Sequence, residues 1–402
     1  MRTPFLFVIL AGMVALAGNI LAAEVILDSM DVLSFTPPKE KARAELVEGK
    51  NGKAIKFSFD KGASGAFVLG RIKGSADWDT AAGLSFWVKG DGSNHLGGLE
   101  LIWNNDYAQR YACAFPIDST EWKKIMVPWR DLLPETSQAG IKPLDPKNGN
   151  APSKLGSLNF GKWWYWRDYE ANSYSIDDIA LEPTIELDTD EYLPKGPPLE
   201  RVLAKLKAGK PITVVTMGDS LTDYSHNSNR KTNWPTMLKT QIKEKYGSEV
   251  TIVNPALGGT ELRQNLVLIP RWVSTNPEPD LVTVCFGGND WASGMRGEAF
   301  YATQKDAIAR IRRATHGKSD VLIVTTCPSV ENWDTVIELA GACRKAAKEM
   351  NAGLADTYAA FHTEGNTDKA RLFADDKVHL GMAGQTLFAK TVVDAIEKDG
   401  KN

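Results

Sequence analysis

Residues 212–222 read ITVVTMGDSLT, a short apolar run that ends in a turn carrying Ser220. Apolar runs of this length, bounded by turn residues, are typical of buried strands. Similar runs follow at 250–254, 281–286, 321–326 and 352–357. Between them, amphipathic patterns predict helices at 199–208, 234–246, 298–316, 334–350 and 382–398. Alternating strands and helices predict an α/β fold over residues 199–402, a doubly wound parallel sheet of about five strands of the flavodoxin type.

The part of the chain before this region has a different periodicity. Short segments in which apolar and polar residues alternate are separated by glycine, proline, aspartate and asparagine. They lie at 54–59, 83–88, 99–103, 122–127 and 174–179. Many short strands at such spacing predict an all-β sandwich or jelly roll over residues 24–183. Residues 184–198 are acidic and contain prolines, which indicates a linker.

Length and charge limit the classes of protein to consider. The chain has 402 residues, more than one hydrophobic core usually organises, so two domains are expected. The net charge is −3, and no block of lysine and arginine occurs. Nucleic acid is therefore not an expected partner.

Residues 1–23 predict a secretory signal peptide. Arg2 precedes an apolar run at 4–16, and small residues follow. This order matches the basic, apolar and cleavage regions of such a peptide. A membrane anchor is the alternative, but glycines and an asparagine interrupt the stretch, which is short for a span. We therefore expect a secreted or periplasmic protein with no stable membrane insertion after cleavage.

Four cysteines, Cys113, Cys285, Cys327 and Cys343, match no disulfide framework and no metal site. Two of them lie in or at the end of apolar runs, where a thiol behaves as a small hydrophobic group. Buried free thiols are expected, and no metal site is predicted.

Polar motifs follow the predicted strands of the α/β region. Gly-Asp-Ser220 ends the first, Gly258-Gly259-Thr ends the second, and Gly-Gly-Asn289-Asp ends the third, while Asp376-Lys-Val-His379 precedes the last helix. Each motif alone is an ordinary turn or helix cap. Because the carboxyl ends of parallel strands meet at one edge, these groups are expected to converge. Together they supply a nucleophile, backbone donors and a base.

The α/β region resembles the GDSL/SGNH hydrolase superfamily, all four of whose sequence blocks occur within about 199–398. The resemblance implies an ester hydrolase with Ser220 as nucleophile, His379 as base and Asp376 as the triad acid. It implies an oxyanion hole built by the backbone N–H groups of Ser220 and Gly259 and the side-chain amide of Asn289. Gly259 is preferred to Gly258 because the family's glycine follows the strand-ending asparagine by five residues. No metal or cofactor is implied.

The residue types suit this chemistry. A serine hydroxyl is a weak nucleophile and needs an adjacent base to accept its proton. Asp376 would hold the tautomer of the His379 imidazole and stabilise the imidazolium. Their spacing of three residues predicts that both side chains lie on one face of a helical turn.

Substrate contacts are harder to assign from the sequence. Trp291 and Trp333, which follow the third and fourth strands, are candidate walls of the acyl or sugar site, with loop packing as the alternative. His226, in the loop after Ser220, is a candidate pocket residue or is merely solvent-exposed.

Eight of the twelve tryptophans precede the linker. Aromatic faces stack on sugar rings, although tryptophans also fill β cores. In the run at 163–166, WWYW, the side chains cannot all face inward, because strand side chains alternate. The segment at 174–181 resembles the last strand of galactose-binding-like, carbohydrate-binding jelly rolls. Such a domain binds sugar by itself or forms one wall of the active site.

The combined architecture resembles that of bacterial acetylxylan esterases. We therefore expect an enzyme that removes O-acetyl groups from a polysaccharide or oligosaccharide through an acyl-enzyme intermediate. Three alternatives remain: a lipolytic esterase or lysophospholipase, a thioesterase with the same triad, and a glycan-binding protein without activity.

Overall fold

The computed structural model describes residues 24–38, 40–135, 144–145 and 149–401. The predicted signal peptide, residues 1–23, lies outside the described residues. Within the described part of the chain, no helix is long and apolar enough to cross a membrane.

The amino-terminal region is a sandwich of antiparallel sheets, as its alternating segments predict. Its strands are β1 (Val25–Asp28), β2 (Ala42–Glu48), β3 (Lys53–Phe59), β4 (Gly65–Leu69), β5 (Gly83–Gly90), β6 (Leu96–Trp103), β7 (Arg110–Pro116), β8 (Lys123–Pro128), β9 (Leu133–Pro134), β10 (Leu155–Lys162) and β11 (Asn172–Glu182). One sheet has the order β2-β3-β11-β5-β8, with β1 also paired to β11, and the other has the order β4-β10-β6-β7-β9. The prediction of an all-β domain is confirmed.

Aromatic side chains fill the space between the two sheets. The rings of Phe57, Phe67, Phe86, Phe115 and Phe160 are all buried, and their nearest neighbours lie about 5 Å away. Each comes from a strand position whose neighbours point to the opposite face, as the period of two requires. The alternating segments identified in the sequence contribute Phe57 and Phe86, whereas Phe67, Phe115 and Phe160 lie on β4, β7 and β10, which were not predicted.

The carboxyl-terminal region is a doubly wound α/β domain. Its strands are β12 (Ile212–Gly218), β13 (Val250–Val253), β14 (Leu281–Cys285), β15 (Asp320–Val324) and β16 (Gly353–Ala355). Its helices are α1 (Glu200–Lys207), α2 (Trp234–Tyr246), α3 (Leu262–Val267), α4 (Ile269–Val273), α5 (Gly288–Ala292), α6 (Gly297–Ala314), α7 (Ile337–Glu349), α8 (Thr357–Glu364) and α9 (Met382–Asp399). The sheet has the order β13-β12-β14-β15-β16, and all its strands are parallel. The predicted five-stranded doubly wound sheet is confirmed.

One strand is shorter than its apolar pattern suggests. The run at 352–357 was expected to be a strand throughout, but β16 ends at Ala355 and α8 begins at Thr357. The carboxylate of Asp356 accepts a hydrogen bond from the backbone N–H of Ala359 and caps the helix. A side-chain cap therefore ends the strand two residues early.

The two domains share a hydrophobic core. Residues 184–198, all of which the structure describes, contain no helix or strand. The outer face of the sheet containing β6, β7 and β9 packs against α3 and α4. Leu96, Leu133 and Trp166 of the sandwich belong to one buried cluster with Leu266 and Ile269 of the α/β domain. Burial of these apolar side chains away from water stabilises the contact between the two domains.

Candidate active site

The turn after β12 presents Ser220 at the carboxyl edge of the parallel sheet. The carboxylate of Asp219 accepts a hydrogen bond from the backbone N–H of Leu221 at 3.0 Å. Its backbone carbonyl accepts hydrogen bonds from the N–H groups of Thr222 and Asp223. These contacts hold the turn closed, so the hydroxyl of Ser220 points out of the sheet edge. Asp219 therefore shapes the turn.

The structure brings His379 and Asp376 to the same edge. Nε2 of His379 lies 2.9 Å from Oγ of Ser220, and its Nδ1 lies 2.8 Å from Oδ2 of Asp376. The three side chains therefore form a continuous hydrogen-bonded chain. It joins groups that are 159 residues apart in the sequence.

The turn that carries these two residues differs from the one expected. Asp376 and His379 lie in a loop, and α9 begins only at Met382, so they do not share a helical turn. Oδ1 of Asp376 accepts hydrogen bonds from the backbone N–H groups of Val378 and His379 at 2.9 and 2.8 Å. This side-chain-to-backbone turn replaces helical geometry and leaves Oδ2 free for the imidazole.

Two backbone N–H groups beside Ser220 are available to a ligand. Gly258 donates its N–H to Oδ2 of Asp223 at 2.9 Å, whereas the N–H groups of Gly259 and Ser220 have no acceptor among the described residues. Gly259 has a φ of +78°, which favours glycine. The contact through Asp223 thus leaves Gly259, rather than Gly258, with the free donor.

The side-chain amide of Asn289 lies beside these two donors. Its Nδ2 lies 3.0 Å from the carbonyl oxygen of Thr260 and 3.4 Å from Oδ2 of Asp219. Those two acceptors fix the plane of the amide. Asn289 lines the same cavity as Ser220, Gly259 and His379.

Two cavities meet at Ser220 and Asn289. The first, which we call the apolar cavity, has a volume of about 220 Å³; Leu221, Trp291, Pro328, Val336 and Val378 are among its lining residues. The second, the polar cavity, has a volume of about 650 Å³; Arg167, Asp223, Ser225, His226, Leu257, Gly258, Gly259 and His379 also line it. The serine hydroxyl therefore stands between a small apolar space and a larger polar one.

The three candidate substrate-contacting residues have different positions. Trp291 lines the apolar cavity. His226 lines the polar cavity and stacks on His379 with ring centroids 3.9 Å apart. Trp333 is absent from the lining of both cavities. Its ring instead packs at a tilt against that of His362, with the centroids 4.6 Å apart, so the structure does not bring Trp333 to Ser220.

Burial and hydrogen bonding set the charges of the site. Burial raises the pKa of Asp376, but hydrogen bonds from two backbone N–H groups and the imidazole outweigh it and lower the pKa to about 2. Burial, and then the proximity of His379, lower the pKa of His226. Asp376 is therefore ionised and His226 is neutral at pH 7. Among the described residues, no cluster of His, Cys, Asp or Glu could hold a metal ion.

Two residues of the site were not identified from the sequence. Asp223 lies three positions after Ser220 and orients Gly258, a role that its proximity to the Gly-Asp-Ser motif could have suggested. Arg167 belongs to the sandwich, and its Nη2 donates to the carbonyl oxygen of Gly258 at 3.2 Å. Nothing in the local sequence pattern indicates that contact.

The fold and this arrangement supply the groups that ester hydrolysis by a serine nucleophile requires. Residues 216–387 match the model of the GDSL-like lipase/acylhydrolase family. Residues 31–152 match the model of the carbohydrate binding domain, family 11.

Individual proteins show more limited similarity. A mannan endo-1,4-beta-mannosidase from Bifidobacterium adolescentis is 26% identical over 145 residues, which are 36% of this chain and 14% of that protein. An acetylxylan esterase from Geobacillus stearothermophilus is 22% identical and has a TM-score of 0.40 over 47% of this chain and 96% of its own. A lipase/acylhydrolase from Enterococcus faecalis is 20% identical and has a TM-score of 0.39 over 47% of this chain and 96% of its own.

Proposed function

We propose that the protein is a secreted serine esterase that hydrolyses O-acetyl esters on a polysaccharide or oligosaccharide. The observation that carries this proposal is the hydrogen-bonded chain from Ser220 through His379 to Asp376, with distances of 2.9 and 2.8 Å. Both distances are within the range that proton transfer requires.

The first half of the reaction forms an acyl-enzyme. Oγ of Ser220 attacks the ester carbonyl carbon while Nε2 of His379 accepts the hydroxyl proton. When the tetrahedral intermediate collapses, the bond to the sugar oxygen breaks, and His379 returns the proton to that oxygen. The acetyl group remains on Ser220. In the second half, His379 accepts a proton from water, and the hydroxide attacks the acetyl carbon. The bond between that carbon and Oγ of Ser220 then breaks, His379 returns the proton to Oγ, and acetate leaves.

Negative charge that develops on the carbonyl oxygen requires donors that are already in place. The free N–H groups of Ser220 and Gly259, whose residues line one cavity, can donate to this oxygen, and Asn289 of the same cavity can donate once its contact of 3.4 Å to Asp219 is released. Loss of one such donor typically reduces turnover by about 10²- to 10³-fold. Asp376, which is ionised, stabilises the imidazolium that forms on the opposite side.

Each of the two cavities suits a different part of the ester. The apolar cavity, lined by Trp291 and Val336, suits the acyl group. The polar cavity suits the sugar, whose hydroxyl groups require hydrogen-bonding partners. The match of the sandwich to a carbohydrate-binding family, and the similarity to a mannosidase, support a glycan substrate. Residues 1–23 support export to the periplasm or the medium.

The acyl preference can be measured with p-nitrophenyl acetate and p-nitrophenyl octanoate. Acetate release from acetylated xylan and acetylated pectin then tests the glycan substrate. We expect faster turnover of the acetyl ester and measurable release from at least one polymer. Faster turnover of the octanoate would instead favour a lipolytic esterase.

The nucleophile is tested by Ser220→Ala, which should abolish hydrolysis of both classes of substrate. Ser29→Ala, an exposed serine of the sandwich, is the matched control and should retain wild-type activity. Hydrolysis that survives in Ser220→Ala would refute the assignment.

A further inference from the structure

A loop of the sandwich reaches the edge of the candidate active site. The loop follows β10, covers residues 163–170, and carries Arg167. Nη2 of Arg167 donates to the carbonyl oxygen of Gly258, directly before the free N–H of Gly259. Arg167 therefore lines the polar cavity together with Ser220 and His379, although it belongs to the other domain.

Contacts on both sides hold this loop in place. The imidazole of His95 lies 2.8 Å from the carboxylate of Asp168, and the buried ammonium of Lys162 donates to the carbonyl oxygen of Glu170. From the α/β domain, Arg271 donates to the carbonyl oxygen of Trp166 at 2.7 Å. The position of Arg167 relative to the sheet edge is therefore fixed before any ligand binds, which reduces the entropic cost of binding.

The backbone of Arg167 is strained, while its side chain is exposed. Its φ is +52°, a left-handed conformation that is unfavourable for a residue with a long side chain. Strained residues that the surrounding structure holds in place are concentrated at functional sites. Among the described residues, no carboxylate pairs with this guanidinium. The guanidinium lies 5.7 Å from the ring of Trp164, whose exposed fraction is 50%.

A groove continues from Ser220 past this arginine. A further cavity of about 430 Å³ lies along the sandwich and shares Arg167 and Leu257 with the polar cavity. Tyr169 lines it and is 41% exposed. A hydrogen-bond donor with a fixed position, in a groove that also contains the exposed ring of Tyr169, is suited to bind a sugar chain.

We propose that Arg167 is a specificity-determining residue that binds the sugar portion of the ester. This inference rests on the proposed function, because it concerns the leaving-group side of the same site. The sandwich then acts on catalysis directly, by selecting which alcohol is presented to Ser220. The donors of Arg167 that Gly258 does not occupy bind hydroxyl groups, or the carboxylate of a uronic acid, on the acetylated chain.

The test compares two leaving groups in wild type and Arg167→Ala. The substrates are p-nitrophenyl acetate, whose small leaving group makes little use of the sandwich, and acetylated xylo-oligosaccharides or acetylated oligogalacturonides. We expect kcat/KM for the oligosaccharide to fall by about tenfold or more, a loss typical of one charge-assisted hydrogen bond. Because Arg167 also contacts the carbonyl oxygen of Gly258, kcat/KM for p-nitrophenyl acetate should fall as well, but by a smaller factor, so the ratio of the two values is the readout. Arg43→Ala, an exposed arginine on β2 that pairs with Asp60, is the control and should match wild type on both substrates.

The remaining outcomes are distinct. An equal loss on both substrates would show that Arg167 acts only by holding the Gly258 loop. Unchanged activity of Arg167→Ala on both substrates would show that Arg167 binds no sugar. Either result overturns this inference and leaves the proposed function standing. If wild type hydrolyses p-nitrophenyl acetate but no acetylated glycan, the proposed function fails and this inference fails with it. Arg167→Lys keeps the charge but loses the planar fork, and should recover only part of the activity on the oligosaccharide.

Discussion

Asp376 is the residue on which the geometry of His379 depends. It accepts three hydrogen bonds: from the N–H groups of Val378 and His379, and from the imidazole. Partial burial raises the pKa of this carboxyl, yet the hydrogen bonds lower it to about 2. Asp376 therefore remains ionised well into the acid range and keeps the proton of the imidazole on Nδ1.

Replacing Asp376 by Asn should reduce kcat by about 10²- to 10⁴-fold, because the neutral amide neither fixes the tautomer nor stabilises the imidazolium. The KM for p-nitrophenyl acetate should change little. Asp375→Asn alters the exposed neighbouring carboxylate and is the control that should retain activity. A variant at position 376 with near-wild-type kcat would contradict the assigned role.

At the scale of elements, the loop after β13 is constrained from two sides. Asp223 accepts the N–H of Gly258, and Arg167 donates to its carbonyl oxygen. The peptide that follows is thereby oriented with the N–H of Gly259 toward the cavity. Gly259 must adopt a left-handed backbone to do so, with a φ of +78°.

Gly259→Ala tests this orientation. Added strain in the left-handed region should cost about 1 kcal/mol of stability, and a shift of the N–H should reduce kcat by about tenfold or more. Gly209→Ala is a matched control, since that glycine also has a positive φ, of +66°, and open space around the new Cβ. It should lose similar stability, measured by urea unfolding, with kcat unchanged. Equal kcat values in the two variants would argue against a donor role for Gly259.

The helices, strands and turns also show how much of the fold and of the site could be predicted from the sequence. The strands and the motifs that follow them were predictable because apolar runs define strands and because parallel strands end at one edge. The turn at Asp376 was not predictable, because its two side-chain-to-backbone hydrogen bonds replace those of the first turn of a helix. The end of β16 was missed for a related reason, the cap formed by Asp356. Arg167 could not be found, because its role depends on how two domains dock, which no local pattern encodes.

For the whole molecule, the buried interface between the domains makes unfolding of the two parts interdependent. We expect one calorimetric transition rather than two. Trp166→Ala should lower its midpoint, since truncating a fully buried tryptophan costs about 3–5 kcal/mol. Trp164→Ala removes a neighbouring ring that is half exposed and should have a much smaller effect. Two well-separated transitions in wild type would show that the domains unfold independently.

A second prediction concerns pH. Glu100 lies buried on β6, where burial and the neighbouring Glu135 raise its pKa to about 8. In the unfolded chain the pKa of a glutamate is about 4.3. The folded state therefore binds this proton more tightly, so the stabilisation is complete below about pH 4 and is lost as the pH rises through 8. Glu100→Gln should gain stability relative to wild type between pH 5 and pH 9, measured as the difference in Tm. A difference in Tm that stays constant between pH 5 and pH 9 would contradict the raised pKa of Glu100.

The covered outer face of the sandwich has a consequence for transplanting it. The isolated sandwich would expose the side chains of Leu96, Leu133 and Trp166 to water, and an apolar patch of that kind favours aggregation. A sandwich produced on its own would need polar replacements at those positions. It would also separate Arg167 from the carbonyl oxygen of Gly258.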